Sequence, residues 1–542
     1  MSQSSTAGRS PWRALAVLCL ANFLILLDTT IVNTAVPSIM ASLHTDIDAA
    51  LWVLNAYLLA FASLLIIFGR LGDVFGPRRL FASGLVAFTA ASVLCALSQT
   101  PAELISARVL QGLGAAMLVP QALVLISAIF PPERRGAAFG IFTATAGVAS
   151  ISGPTLGGFL ITETGWQSIF YLNLPIGVIG VFLTFRLVPD LRIGRPHRFD
   201  ALGVLLATGG LFGVVYGLVE GPDFRPSVHY SIIAGGLVAL GLFVLWERRQ
   251  PEPLLPLELF KERNFSVATL VTLVSSFGLY GFLLVFVLET QSALGMSPLK
   301  AGVTALALTV TLSALAPVAG RAADRIGGRI PLVLGLAVNA CGVFLIAILP
   351  TTSSTPATYI FPLLLVGAGM GLGIAPTTTE AMRAIPPQQA GAASGVLNTA
   401  RQVGAVLGAA VIGSFLQSRM VTSLQQAARG YAPQLPAQAR APFLKGVSHA
   451  VTAHSLQLGA GTVTPPKSMP PALAQTFTRL VRESSSQGLI AAGRPTLEIV
   501  AGVLLSGSLC ALLLRRQASS PDTGREPAAA AGKAATVRAK AS

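Results

Sequence analysis

Apolar and polar positions along this chain fall into long blocks, not into the two-residue alternation of strands or the one-sided stripe of soluble helices. Apolar runs recur at 14–36, 50–69, 80–99, 104–129, 137–160, 168–188, 201–220, 230–246, 266–288, 301–320, 330–350, 357–380, 391–417 and 495–514. Most hold about 20 residues, enough to cross a hydrocarbon core about 30 Å thick. The pattern predicts an all-α polytopic membrane protein with about fourteen transmembrane helices. The first run continues past the length of a secretory signal and no small-residue cleavage site follows it, so it reads as a span.

Composition agrees: of 542 residues 53% are hydrophobic and 11% charged, and the mean hydropathy is +0.70. The net charge of +15 reads as orientation rather than as a nucleic-acid surface. The short loops on one side hold only Arg225 and Lys300, and basic residues crowd the alternate loops. The crowded side is expected to be cytoplasmic, with both termini there, in a bacterial inner or plasma membrane.

Against this background a single carboxylate stands out. Asp28 is the one charged residue between positions 14 and 43, and an ionised Asp at the centre of a membrane helix costs about 2.5–3.5 kcal/mol on insertion scales. In the fourth run, Arg108, Gln111 and Gly112 lie at i, i+3 and i+4, on one helical face. Arg108 is expected either to communicate with Asp28 or to be held by backbone carbonyls. Cys19, Cys95, Cys341 and Cys510 each sit alone in an apolar run, without disulfide or metal-site spacing. No metal and no cofactor is expected.

An internal repeat organises the runs. "GRLGDVFGPRR" at 69–79 and "GRAADRIGGR" at 320–329 carry Gly, Arg, Asp and Gly at identical offsets, 251 residues apart. Each copy follows the second helix of a half. This gives two six-helix bundles, 14–188 and 266–515, with two linker helices inserted at 189–265. Residues 1–13 form a cytoplasmic tail and 516–542 a disordered one. Segment 418–494 reads as an outer loop, either a partly helical cap or largely disordered. Duplicated halves around a central site are a transporter design. The first copy is either a gating loop or a plain positive-inside loop; its paired arginines make it the expected dominant copy over Asp324 in the second. The fifth run has Gly140, Gly147 and Pro154 seven apart and Gly153, Gly157 and Gly158 close by, a smooth stripe suited to close helix packing.

These segments resemble the 14-span drug:proton antiporter branch of the major facilitator superfamily. The resemblance rests on "LDTTIVNTAVPSI" (27–39), "GRLGDVFGPRR", "RVLQGLGAA" (108–116), "GVASISGPTLGG" (147–158), "WQSIFYLNLPIG" (166–177) and "GAASGVLNTARQVGAVLG" (391–408). It implies two bundles rocking about a central cavity. It makes Asp28 and Arg108 the proton-coupling pair, and Gly69, Arg70, Asp73, Gly76, Arg78 and Arg79 a conformational latch (motif A). Arg108, Gln111 and Gly112 become motif B, and Gly147, Gly153, Pro154, Gly157 and Gly158 the antiporter motif C. The substrate cavity is expected to involve Asn22, Asn33, Tyr57, Gln121, Asn398 and Arg401. Glu289, where relatives often have a neutral residue, and Glu380 are candidates for a second acidic site.

The expected function is proton-coupled export of a small organic compound such as a drug, antibiotic or secondary metabolite, by a monomer with no nucleic-acid partner. A proton-coupled importer or metabolite transporter of the same fold is the nearer alternative, and a membrane-embedded enzyme a more distant one. The chain has no phosphate-cradling G-x-x-x-x-G-K-[ST], no HExxH and no GxSxG. Sparse deep acids point to a neutral or amphipathic substrate.

Overall fold

The computed structural model describes residues 10–515, except 46, 192–199, 221–225, 251–252, 254, 297, 384, 387–388, 453–464 and 466–468. Among the described residues the chain is helical throughout, without strands. The helices are α1 Pro11–Leu43, α2 Ile47–Phe75, α3 Pro77–Leu97, α4 Pro101–Ile129, α5 Pro132–Thr164, α6 Ser168–Tyr171, α7 Asn173–Leu187, α8 Ala201–Glu220 and α9 Pro226–Glu247. They continue as α10 Arg263–Val287, α11 Pro298–Ile326, α12 Arg329–Ile348, α13 Pro356–Arg383, α14 Ala390–Tyr431, α15 Ala437–Thr452 and α16 Pro471–Ala511. With α6 and α7 taken together and α15 set aside, these match the fourteen apolar runs in order. Among the described residues twelve helices are long and apolar enough to cross a membrane. The other two are α8, whose apolar stretch Leu202–Leu218 is short, and α5, which at 33 residues is long but diluted with glycine, threonine and serine. The starts are marked in the sequence: proline opens α1, α3, α4 and α5, and Thr100 and Glu103 form a capping box on α4.

Helices α1–α7 pack on one another around Leu18, Leu24, Phe81, Phe88 and Leu118, and α10–α14 with α16 around Val271, Phe282, Leu336, Val366 and Ile412. The inserted α8 and α9 pair with each other where Gly213 meets Gly236. Their hairpin lies against α2, with the Trp52 and Tyr216 rings 5.9 Å apart.

The two bundles meet through α5 against α11 and α2 against α14. A side chain at Gly69 would lie 2.5 Å from the Gly391 carbonyl oxygen; Gly136 and Gly320 touch backbone to backbone; Gly140 lies on Ala316 and Pro317. Ser394 Oγ donates to the Pro120 carbonyl at 3.0 Å and Ser313 Oγ to that of Ala144 at 3.3 Å. Gly69, Gly136, Gly320 and Gly391 flank the loops 70–79 and 320–329, so the bundles are joined at the end that carries the repeated loops.

Of the two forms open for the outer segment, the described residues show the helical cap. α14 runs unbroken for 42 residues to Tyr431 and α16 starts at Pro471 and runs for 41. They are capped by α15 through Phe443 and Phe477, whose rings meet edge-on at 5.5 Å. The apolar positions Leu424, Phe443, Val447, Phe477 and Leu480 continue the core of the second bundle. The described part of 418–494 is therefore mostly helical. Residues 453–464 and both tails, 1–9 and 516–542, lie outside the described residues.

Candidate functional site

Gly112 lets α4 approach α2 so closely that an added Cβ would stand 2.5 Å from the Tyr57 carbonyl oxygen. The same approach brings Arg108, one turn away, within reach of α2, where its Nε donates to the Val53 carbonyl at 3.0 Å. Its Nη1 donates to Asp28 Oδ2 at 2.5 Å and to Gln111 Oε1 at 2.6 Å. Gln111 Nε2 donates to Asp28 Oδ1 at 2.8 Å, and Asn173 Nδ2, the first residue of α7, to the same oxygen at 3.2 Å. Ser92 Oγ of α3 accepts from both amides, at 2.7 and 2.8 Å. The Tyr57 ring lies under the guanidinium, 4.2 Å from its Cζ, a cation–π contact. Asp28 is 0% and Arg108 1% exposed. Five helices thus seal an ion pair whose charges cancel and whose hydrogen bonds are filled, the condition under which buried charge is tolerated.

Arg108 makes the contacts of both readings open for it, meeting Asp28 and a backbone carbonyl. Asn173, Ser92 and Cys95, whose Sγ is 3.6 Å from Gln111 Oε1, were not anticipated as part of the cluster. An amide inside the apolar "FYLNLPIG" is the sequence feature that points to Asn173.

Motif A is spread over several contacts. Gly69 faces α14, Arg70 is buried, Gly76 ends α2 with φ +92, and Arg79 is exposed. Arg78 donates to the Phe185 carbonyl at 2.6 Å and stacks on that ring, tying the loop to α7. The side chain of Asp73 lies outside the described residues, as do those of Asn33 and Pro154. In the second copy, Asp324 accepts from the backbone N–H of Gly136 at 2.8 Å and of Ala137 at 3.0 Å, across the seam between bundles.

Motif C is divided along α5. Gly147 packs on Thr309 and Ser313 of α11, Gly153 on Thr30 and Gly157 on Ile31 and Thr34 of α1, while Gly158 has nothing within 4 Å. One helix therefore touches the other bundle at one end and, at the other, the helix that carries Asp28.

The expected cavity residues separate. Tyr57 belongs to the ion-pair cluster. Asn22 is engaged with Thr145 at 2.6 Å and Gln121 with the Phe68 carbonyl at 2.6 Å. Asn398 and Arg401 are paired at 3.1 Å. Glu289, buried in a π-helical turn at Leu288–Ala293, accepts from Tyr359 Oη at 2.8 Å. Glu380 accepts from the Gly328 N–H at 2.7 Å and pairs with Arg383 at 3.0 Å, holding α13 to the second loop copy.

Two repeated helical bundles, a buried intramembrane ion pair and a glycine-lined seam define a polytopic membrane protein of the transporter class. The chain belongs to the Major Facilitator Superfamily, which its residues 18–409 match. It is 40% identical over 460 residues to an uncharacterised MFS-type transporter of Mycobacterium tuberculosis, covering 82% of this chain and 78% of that one. It is 32% identical over 543 residues to the tetracenomycin C resistance and export protein of Streptomyces glaucescens, covering 98% and 97%. In fold it is similar to the human organic anion transporter MFSD10, with a TM-score of 0.61, 13% identity, and coverage of 92% and 99%.

Proposed function

We propose that this protein is a proton-coupled antiporter that exports a small organic compound of the antibiotic, drug or secondary-metabolite kind across the cell membrane, conferring resistance. The observation that carries the reading is the sealed Asp28–Arg108 pair, set on a helix that packs directly against α5. A proton arriving at Asp28 removes the charge that holds Arg108, and the guanidinium keeps Val53, Gln111 and the Tyr57 and Phe170 rings. α1 then repacks against Gly153 and Gly157, and α5 transmits the change to α11. The near full-length relation to a tetracenomycin C exporter supports the substrate kind and the direction.

The basic loops support cytoplasmic termini. With that orientation the joined end is cytoplasmic and the state outward-facing. Motif A, Asp73 included, then acts as the latch with Asp324 as its counterpart, and the unit is a monomer.

The test is the purified protein in proteoliposomes with an imposed pH gradient, following tetracenomycin C and a pH-sensitive dye together. Coupled, opposite fluxes are expected, and Asp28→Asn is expected to abolish them. Gradient-driven transport that persists in Asp28→Asn sinks the reading.

A further inference from the structure

α3 and α7 pack side by side, with Gly177 resting on Thr89 and Gly180 on Leu85. Arg78 is the second residue of the span Pro77–Leu97 and Arg186 the last but one of the span Ser168–Leu187. Both therefore sit where the hydrocarbon ends and the lipid headgroups begin. The Arg78 guanidinium lies over the Phe185 ring, 5.3 Å from its centroid, and that of Arg186 over the Phe182 ring at 5.9 Å. Phe182 and Phe185 are i, i+3 neighbours on α7 and are 63% and 51% exposed. One outward face of α7 thus carries two guanidiniums, each on an aromatic platform.

These cations have no counter-charge. Arg108 and Arg383 each meet a carboxylate, but among the described residues neither Arg78, Arg186 nor the exposed Arg79 forms an ion pair. Asp190, the acid nearest to Arg186 in the chain, is exposed and pairs with none of them. Arg78 Nη2 donates to the Phe185 carbonyl, which fixes the guanidinium and leaves Nη1 for a further acceptor. The end of α7 favours a cation such as Arg186, yet that does not account for a second arginine brought onto the same face from α3. Like charges gathered without an acid call for an anion from outside the chain. Farther along the spans the same edge is apolar and open, with Val86 of α3 and Val178 and Ile179 of α7 exposed.

We infer that this edge of α3 and α7 is a binding site for an anionic phospholipid, with Arg78 and Arg186 holding its phosphate and its acyl chains lying along Val86, Val178 and Ile179. A guanidinium presents planar N–H donors that match phosphate oxygens, and basic pockets between membrane helices bind such headgroups. A free phosphate makes no use of the apolar half of the surface, so the occupant is a lipid. The inference is independent of the exported compound and of proton coupling, since neither Asp28 nor Arg108 takes part.

The experiment titrates the full-length protein in detergent against phosphatidylglycerol and phosphatidylcholine, each carrying a fluorophore on one acyl chain, and reads anisotropy. The two lipids share the phosphodiester and the chains and differ in net charge. The wild type is expected to bind phosphatidylglycerol about tenfold more tightly, as charge-assisted hydrogen bonds allow, with the gap narrowing at high salt. Arg186→Gln, a change at an exposed side chain, is expected to cut the preference to about threefold, half of that free energy. Arg78→Gln with Arg186→Gln is expected to erase it and leave phosphatidylcholine affinity unchanged, which also shows that the protein is folded. If the double variant loses phosphatidylcholine binding as well, Arg186→Gln alone decides. Arg321→Gln, at an exposed arginine of α11 in the other bundle, should keep the preference in full, and millimolar glycerol 1-phosphate should not displace the lipid. A wild type without the preference, an Arg186→Gln protein that keeps all of it, an equal loss in Arg321→Gln or displacement by glycerol 1-phosphate overturns the proposal.

Discussion

Asp28 Oδ2 and Arg108 Nη1 stand 2.5 Å apart although 80 residues separate them in the chain, and neither side chain reaches solvent. Each is the other's counter-charge, so the consequence of changing one depends on whether the partner is changed too. A buried pair that loses one member leaves a bare charge, a loss of about 3–5 kcal/mol, whereas replacing both is often close to neutral. Asp28→Asn is therefore expected to lower thermal stability in detergent, and Asp28→Asn with Arg108→Gln to recover most of it while remaining inactive. A double variant no more stable than the single one contradicts the pairing.

Asp324 is expected to hold the seam. It accepts two backbone N–H groups of α5 from the opposite bundle. Asp324→Ala should shift the population toward separation of the bundles at that end, read as faster labelling of a cysteine placed at Ser313 by a maleimide added from the loop side. Unchanged labelling shows that the glycine contacts suffice alone.

Leucine substitutions along α5 should separate by position. Gly147→Leu collides with Ser313 and Thr309 and is expected to give a stable protein that cannot close. Gly157→Leu collides with Ile31 and Thr34 and is expected to disturb α1 and the Asp28 cluster. Gly158→Leu, with open space around it, serves as control and should transport normally. Equal loss in all three argues for a general packing defect.

Glu289 and Tyr359 supply a further test. Tyr359→Phe removes the hydrogen bond to a buried carboxyl, with an expected loss of about 1–3 kcal/mol, whereas Glu289→Gln keeps an acceptor oxygen and should be nearly neutral in thermal stability. Transport separates the roles: a second proton carrier predicts reduced proton flux per substrate in Glu289→Gln, and an unchanged ratio assigns Glu289 to structure.

Much of this architecture can be read in the chain because membranes make charge conspicuous. One acid and one arginine deep in the first half's apolar runs point to each other, and the duplicated loops fix where each half begins. Asn173 and Ser92 carry no charge, so their place beside Asp28 raises no comparable alarm. The bonds of Asp324 and Glu380 go to backbone N–H groups, which every residue but proline possesses and no sequence advertises. Composition leaves the polar stretch after 417 open between a helical cap and disorder; its described part is a cap because Leu424, Phe443, Phe477 and Leu480 find one another only once α14, α15 and α16 are assembled.

That assembly has a mechanical consequence. At 1.5 Å per residue α14 and α16 are each about 60 Å long, twice the hydrocarbon thickness. About 30 Å of paired helix therefore stands clear of the lipid, sharing one continuous core with the second bundle and bound to turn with it. A rocking of about 15°, the size of known subunit rotations, swings its tip sideways by about 8 Å. The protein thus carries a pointer in the aqueous phase. Spin labels at Gln434 on the tip and Gln99 on the first bundle would report each stroke as a change in distance, far from any residue that handles protons or substrate.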